Sequence, residues 1–159
     1  HFFWNHYFLL LCKNKLDYIG FSYYFHHKIV WKPPFSENKN EKVSDLGWEI
    51  YPEGIYHILK YLKKFSKPVY ILENGLADTK DTQRSDFITE HLKWIHKAIQ
   101  EGVDVKGYFY WSLIDNFEWR EGTKSRFGLI AMDYKTMKRT PRESAKVYAQ
   151  IAKSNSITV

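Results

Sequence analysis

An α/β fold, a parallel sheet with helices packed outside it, is what this 159-residue sequence predicts. Two observations carry that expectation. The first is order: one helix-like segment is followed three times by a strand-like segment and then a helix-like one. The second is period. The strand-like runs are short and almost continuously apolar, as expected when both faces of a sheet are covered, whereas the helix-like runs repeat their apolar residues at helical spacing. Connections between such units are right-handed.

The elements follow in order. Phe2 to Leu11 reads as the end of an amphipathic helix. Leu16 to Tyr24 reads as a mostly apolar strand. Residues 32 to 47 are rich in Lys, Asn, Pro and Glu and form a long loop, a kind of segment that is often functional. Pro52 opens a helix whose apolar face is Ile55, Ile58, Leu59 and Leu62, and Lys67-Pro68 closes that unit. Val69 to Leu72 is a short buried strand, and Ala77 to Arg84 a polar loop. A second helix places Phe87, Ile88, Leu92, Ile95 and Ile99 inward and reaches its C-cap at Gly102. Val103 to Ser112 is the third strand, and a loop runs on to Thr140. Thr140-Pro141-Arg142-Glu143 combines a capping box with Pro at the first helical position, so the last helix starts there and ends near Lys153. No internal repeat interrupts the pattern, and residues 1–159 form a single region, one domain or part of one.

Composition narrows the function classes. Aromatic residues make up 18% of the chain, with 12 Tyr, 11 Phe and 6 Trp; they serve either a large aromatic core or the stacking of sugar rings. The formal net charge of +6 is dispersed among acids, with no run of five basic residues, so no nucleic-acid partner is expected. Cys12 is alone, which excludes an internal disulfide and suits a reducing, cytoplasmic compartment. Phe8 to Cys12 is apolar but far too short to span a bilayer, and no membrane partner is expected. His26 and His27 are adjacent and point to opposite faces of an extended chain, so no metal site is expected. The sequence starts at His1 inside an apolar segment, which reads as a piece of something longer.

In parallel sheets, function gathers at the carboxyl ends of the strands. Those ends carry Tyr23-Tyr24, Glu73-Asn74-Gly75 and Trp111-Ser112, the last followed by Asp115-Asn116-Phe117-Glu118-Trp119. Carboxylates and amides bind vicinal hydroxyls, and aromatic faces cover the C–H side of a sugar ring, so this set suits a polyhydroxylated ligand. A carboxylate closing a buried strand costs desolvation unless it is paired or used. By position alone, Glu73 reads equally as a functional carboxylate or as a loop glutamate that caps the next helix or pairs with a lysine, and Glu118 reads as a surface glutamate bridged to Arg120 or Arg126.

Five ordered motifs resemble the C-terminal part of family 1 glycoside hydrolases, the β-glucosidase and β-galactosidase group. Leu72-Glu73-Asn74-Gly75 is similar to the family's Thr-Glu-Asn-Gly nucleophile motif. Trp111 to Trp119 is similar to its sugar-binding stretch, and Arg126-Phe127-Gly128-Leu129 to the segment after it. Asp17 to Tyr24 resembles the segment whose second tyrosine touches the nucleophile, and Asp45 to Gly54 resembles a further family stretch. The resemblance runs from about residue 16 to 152. It implies strands six to eight of a (β/α)8 TIM barrel, incomplete in this chain, because a full barrel takes about 250 residues.

The resemblance also implies roles. Glu73 is the nucleophile of a retaining β-glycosidase, and Tyr24 orients it. Glu118 and Trp119 bind sugar hydroxyls, Trp111 supplies a stacking face, and Phe127 lines the same pocket. No cofactor is implied. The substrate is a β-glycoside or oligosaccharide. Retention requires a second carboxyl group about 5 Å away, which the family carries in an upstream Asn-Glu-Pro motif, and no Asn-Glu-Pro occurs here. The expected partner is therefore the N-terminal part of the barrel, or a second copy through self-association. The alternative is a non-catalytic sugar-binding or self-associating fragment. Three positions depart from the family pattern: Leu72 stands for Thr, Ser22 for Asn, and Thr123-Lys124-Ser125 for a more aromatic segment.

Overall fold

The computed structural model describes residues 6–33, 35–37 and 42–157. Helix α1 (Tyr7–Cys12) passes through a short 3-10 turn into strand β1 (Ile19–Ser22). The start of the expected first helix, from Phe2, lies outside the described residues. A small antiparallel hairpin follows, β2 (Lys28–Ile29) with β3 (Ser36–Glu37); its second strand falls in the expected 32–47 loop, whose residues 34 and 38–41 are also outside. Then come α2 (Glu53–Leu62), β4 (Val69–Asn74), α3 (Arg84–Gln100) and β5 (Val105–Tyr110). A second hairpin, β6 (Ile130–Met132) with β7 (Arg139–Pro141), precedes α4 (Glu143–Ser154).

The main sheet has the order β1-β4-β5, and both pairs are parallel. Val69 and Ile71 are fully buried against Ile55 and Leu59 of α2 and Ile95 and Ala98 of α3. Each such side chain contributes about 1.5–3 kcal/mol of burial. The opposite face is bare: Tyr18, Leu72 and Phe109 are about half exposed. The strands thus have the continuous apolar character of a two-sided sheet, while helices cover one side only.

Several expected elements differ. The segment Ala77 to Arg84 is a loop as expected, with Thr79, Lys80 and Thr82 exposed, but its ends are buried: Ala77 and Asp78 at one end and Arg84, fully so, at the other. The Arg84 guanidinium donates to Tyr110 Oη at 3.0 Å and to the Arg126 carbonyl at 2.8 Å, and pairs with Asp81. Asp81 in turn accepts from Ser144 N at 3.0 Å and Ser144 Oγ at 2.6 Å. The expected capping box therefore does not form. Thr140 and Pro141 belong to β7, α4 starts at Glu143, and a carboxylate 63 residues away satisfies its first turn. Ile99 is 44% exposed rather than inward, because His91 and Ala98 fill the inner face of α3. The C-cap at Gly102 forms as expected, with φ +82° and its N–H on the Ile99 carbonyl.

His91 has a consequence for acid stability. Its Nδ1 donates to the Phe87 carbonyl at 2.7 Å, its ring packs 4.0 Å from Phe87, and burial pushes its pKa down to about 4. Between the ordinary histidine value and that figure the unfolded chain binds a proton that the folded one refuses, so stability falls as pH falls through that window. The loss amounts to about 3 kcal/mol at 1.36 kcal/mol per unit. Urea midpoints of wild type and His91→Leu, compared from pH 7 to 4, should converge as the acid limit is approached; parallel curves would refute this.

Candidate active site

The carboxyl ends of β1, β4 and β5 converge on Glu73. The register between β1 and β4 slips at Phe21/Ser22, and that between β4 and β5 slips between Ile71 and Asn74. Such irregularities re-aim side chains at strand ends. Tyr24 Oη donates to Glu73 Oε2 at 2.9 Å. Burial, the Glu73 hydrogen bond and the charges of Glu73 and Glu118 all raise the Tyr24 pKa, so the phenol remains a neutral donor.

Asn74 fixes the frame around Glu73. It is fully buried; its Nδ2 donates to the Tyr23 carbonyl at 2.6 Å, and its Oδ1 accepts from Tyr108 Oη at 2.9 Å. Tyr23 N donates to the Glu73 carbonyl and Trp111 N to the Asn74 carbonyl, each at 2.9 Å. Gly75 is required by space: a Cβ there would lie 1.8 Å from the Trp111 carbonyl oxygen.

The β5 end supplies the second half. The Trp111–Ser112 peptide is cis. Trp111 Nε1 donates to Glu118 Oε2 at 3.3 Å, and Asn116 Nδ2 donates to the same oxygen at 3.1 Å. Phe127 is 1% exposed, edge-on to Tyr24 at 6.1 Å and 6.0 Å from Trp48. It packs against both rings beside the Tyr24 hydroxyl's strand end. Trp119 begins a 3-10 turn and stands 82% exposed. The fold therefore gathers Tyr24, Glu73, Trp111, Glu118 and Phe127, and leaves Trp119 projecting into solvent.

Three contributors were not assigned roles from sequence. Trp48 packs 5.8 Å from Tyr24. Asn116 holds Glu118. Asp115, 4% exposed, anchors the loop between them. Its carboxylate takes both Arg142 nitrogens at 3.0 Å, Gly128 N at 2.9 Å and Met132 N at 3.1 Å. Burial alone would raise the Asp115 pKa, but the Arg142 hydrogen bonds and the two N–H groups outweigh it and hold the carboxyl below its ordinary value. The run of Asp and Asn after an apolar strand was the available signal for the last two.

A cavity of about 780 Å³ lies elsewhere, along the edge of β1 between α1 and α2, and is lined by Leu9, Leu16, Phe21 and Tyr61 among others. Its walls are apolar and hold no carboxylate, so it is not where the chemistry sits. Among the described residues, no group of three or more His, Cys, Asp or Glu side chains could hold a metal, and no helix is long and apolar enough to cross a membrane.

Known proteins share this arrangement of elements. The sequence profile of glycosyl hydrolase family 1 matches residues 5–157. The chain belongs to this family. A β-galactosidase of Sulfolobus acidocaldarius is 41% identical over 91% of the chain and 33% of its own length. β-Glucosidase A of Thermotoga maritima is 42% identical over 91% of the chain and 36% of its own length. The solved structure of a Thermotoga maritima β-glucosidase in complex with glucoimidazole superposes with a TM-score of 0.85 at 40% identity, covering 89% of the chain and 36% of that structure. This family 1 chain thus spans about a third of the length of the curated relatives it matches, and it forms a portion of a family whose members are TIM barrels.

Proposed function

We propose that residues 1–159 are the C-terminal section, β/α units six to eight, of a retaining β-glycosidase that hydrolyses terminal β-D-glycosides. The observation that carries this reading is the Tyr24 hydroxyl on Glu73 Oε2 at 2.9 Å, at the ends of adjacent parallel strands. Glu73 attacks the anomeric carbon, the glycosidic C–O bond breaks, and the sugar becomes an ester of the carboxylate. A second carboxyl group protonates the departing oxygen and then takes a proton from the water that releases the sugar. That group comes from outside this chain. Glu118, aligned by Trp111 and Asn116, receives hydroxyls of the bound sugar, Trp111 lies under the ring, Trp119 adds an indole N–H, and Phe127 lines the same pocket beside Tyr24. Relatives described as β-glucosidases and β-galactosidases support the substrate class.

Intact mass spectrometry after incubation with an activated 2-fluoro-glucoside tests the covalent step. In the full-length protein the adduct should form and map to the peptide holding Glu73. An adduct on another carboxylate, or none, overturns the proposal. The second reading, a self-associating fragment, draws on the half-exposed apolar sheet face and the apolar groove along β1. Turnover of an aryl β-glucoside by the 159-residue chain alone, at enzyme-like rates, would exclude it.

A further inference from the structure

Two segments run side by side behind Tyr24. Residues 23–28 follow β1, and residues 48–51 precede α2. Tyr23 Oη donates to the Tyr51 carbonyl at 2.6 Å. The Phe25 ring stacks on Trp48 at 4.7 Å, and the His26 ring stacks on Tyr51 at 4.1 Å, each pair inclined by 22°. Between them sits Glu49, a carboxylate whose side chain is 2% exposed. Its Oε2 lies 2.9 Å from His26 Nε2. Its Oε1 lies 3.5 Å from Lys28 Nζ. On the far side the backbone of Glu49 bridges to Val43.

A carboxylate this deeply buried costs several kcal/mol unless cations meet it, and a removed partner leaves that cost uncompensated. Two of the groups that meet Glu49, His26 and Lys28, come from the segment that carries Tyr24, two and four residues further along. The proposed catalytic reading uses neither Glu49 nor His26. We propose that Glu49 is a positioning residue of the hydrolytic site: by holding His26 and Lys28 it fixes the path of residues 23–28, and with it the Tyr24 hydroxyl on Glu73. This rests on Glu73 being the nucleophile. Glu49 touches neither substrate nor reacting atoms; it acts through Tyr24.

A double-mutant cycle in the full-length protein carrying this section tests it. Glu49→Gln keeps the volume and removes the charge. Alone it should lower kcat on an aryl β-glucoside by roughly tenfold or more, within the range for displacing a catalytic group by up to 1 Å, with KM within about twofold. In a Tyr24→Phe background the same change should have no further effect on kcat, because the path it supports has already been cut. Equal loss in both backgrounds, an unchanged kcat, or a loss confined to KM overturns the inference. His26→Gln, run through the same cycle, serves if Glu49→Gln does not fold. Glu73→Gln is the control: retained activity there removes the nucleophile assignment and this inference together, whereas an inactive Glu73→Gln with a multiplicative cycle removes this inference alone.

Discussion

Glu73→Gln is expected to lower kcat of the full-length protein by roughly three orders of magnitude or more, a barrier increase of about 4 kcal/mol, and to leave the fold in place. The amide has the shape of the carboxylate and its carbonyl oxygen still accepts from Tyr24 Oη, so the 2.9 Å contact survives. It cannot displace a leaving group, so no glycosyl ester forms. Glu73 is only partly buried, so little packing is lost. Steady-state kinetics on an aryl β-glucoside, with a thermal melt beside them, check both halves. A variant that folds and retains activity within tenfold would remove Glu73 from the chemistry.

Asp115→Ala is expected to be the most damaging change to stability, at about 3–5 kcal/mol. The substitution leaves the Arg142 guanidinium, 10% exposed, without its bidentate partner, and strands the Gly128 and Met132 N–H groups. With a slope near 2 kcal/mol per molar, the urea midpoint moves down by about 2 M. Asp115→Asn keeps acceptors for part of that set and should lose less. The charge also has a pH signature. Because the folded pKa lies below the unfolded one, its stabilisation is complete above the ordinary carboxylate value and fades as pH drops through the folded value. A midpoint in Asp115→Ala within 0.5 M of wild type would show that the hub is dispensable.

The parallel α/β order was legible because Ile55, Leu59 and Leu62 keep helical spacing and Val69 and Ile71 keep strand spacing, and both patterns follow from which side is buried. What misled the reading was local grammar overruled at long range. Thr140 to Glu143 has every local feature of a helix start, yet Asp81 caps the helix and the backbone of Thr140 pairs in β7. Ala77 to Arg84 looks polar, yet Tyr110 and the Arg126 carbonyl draw Arg84 inside. The hairpin of β6 and β7 was hidden because three-residue strands carry no period. At the site, the strand ends could be placed from pattern alone, but the meeting of Tyr24 with Glu73, 49 residues apart, followed only from the family resemblance. The buried Glu49 gave no signal, since a glutamate in a polar stretch looks solvated until its cations are seen.

Asn74 has a bearing on how this section can travel between proteins. Its side chain reaches β1 and β5 at once, and the backbone bonds that flank Glu73 end on Tyr23 and Trp111. Each of these supports lies within one uninterrupted stretch of sequence. A gene exchange with its crossover before Leu16 would carry Glu73 into a new host barrel together with these supports.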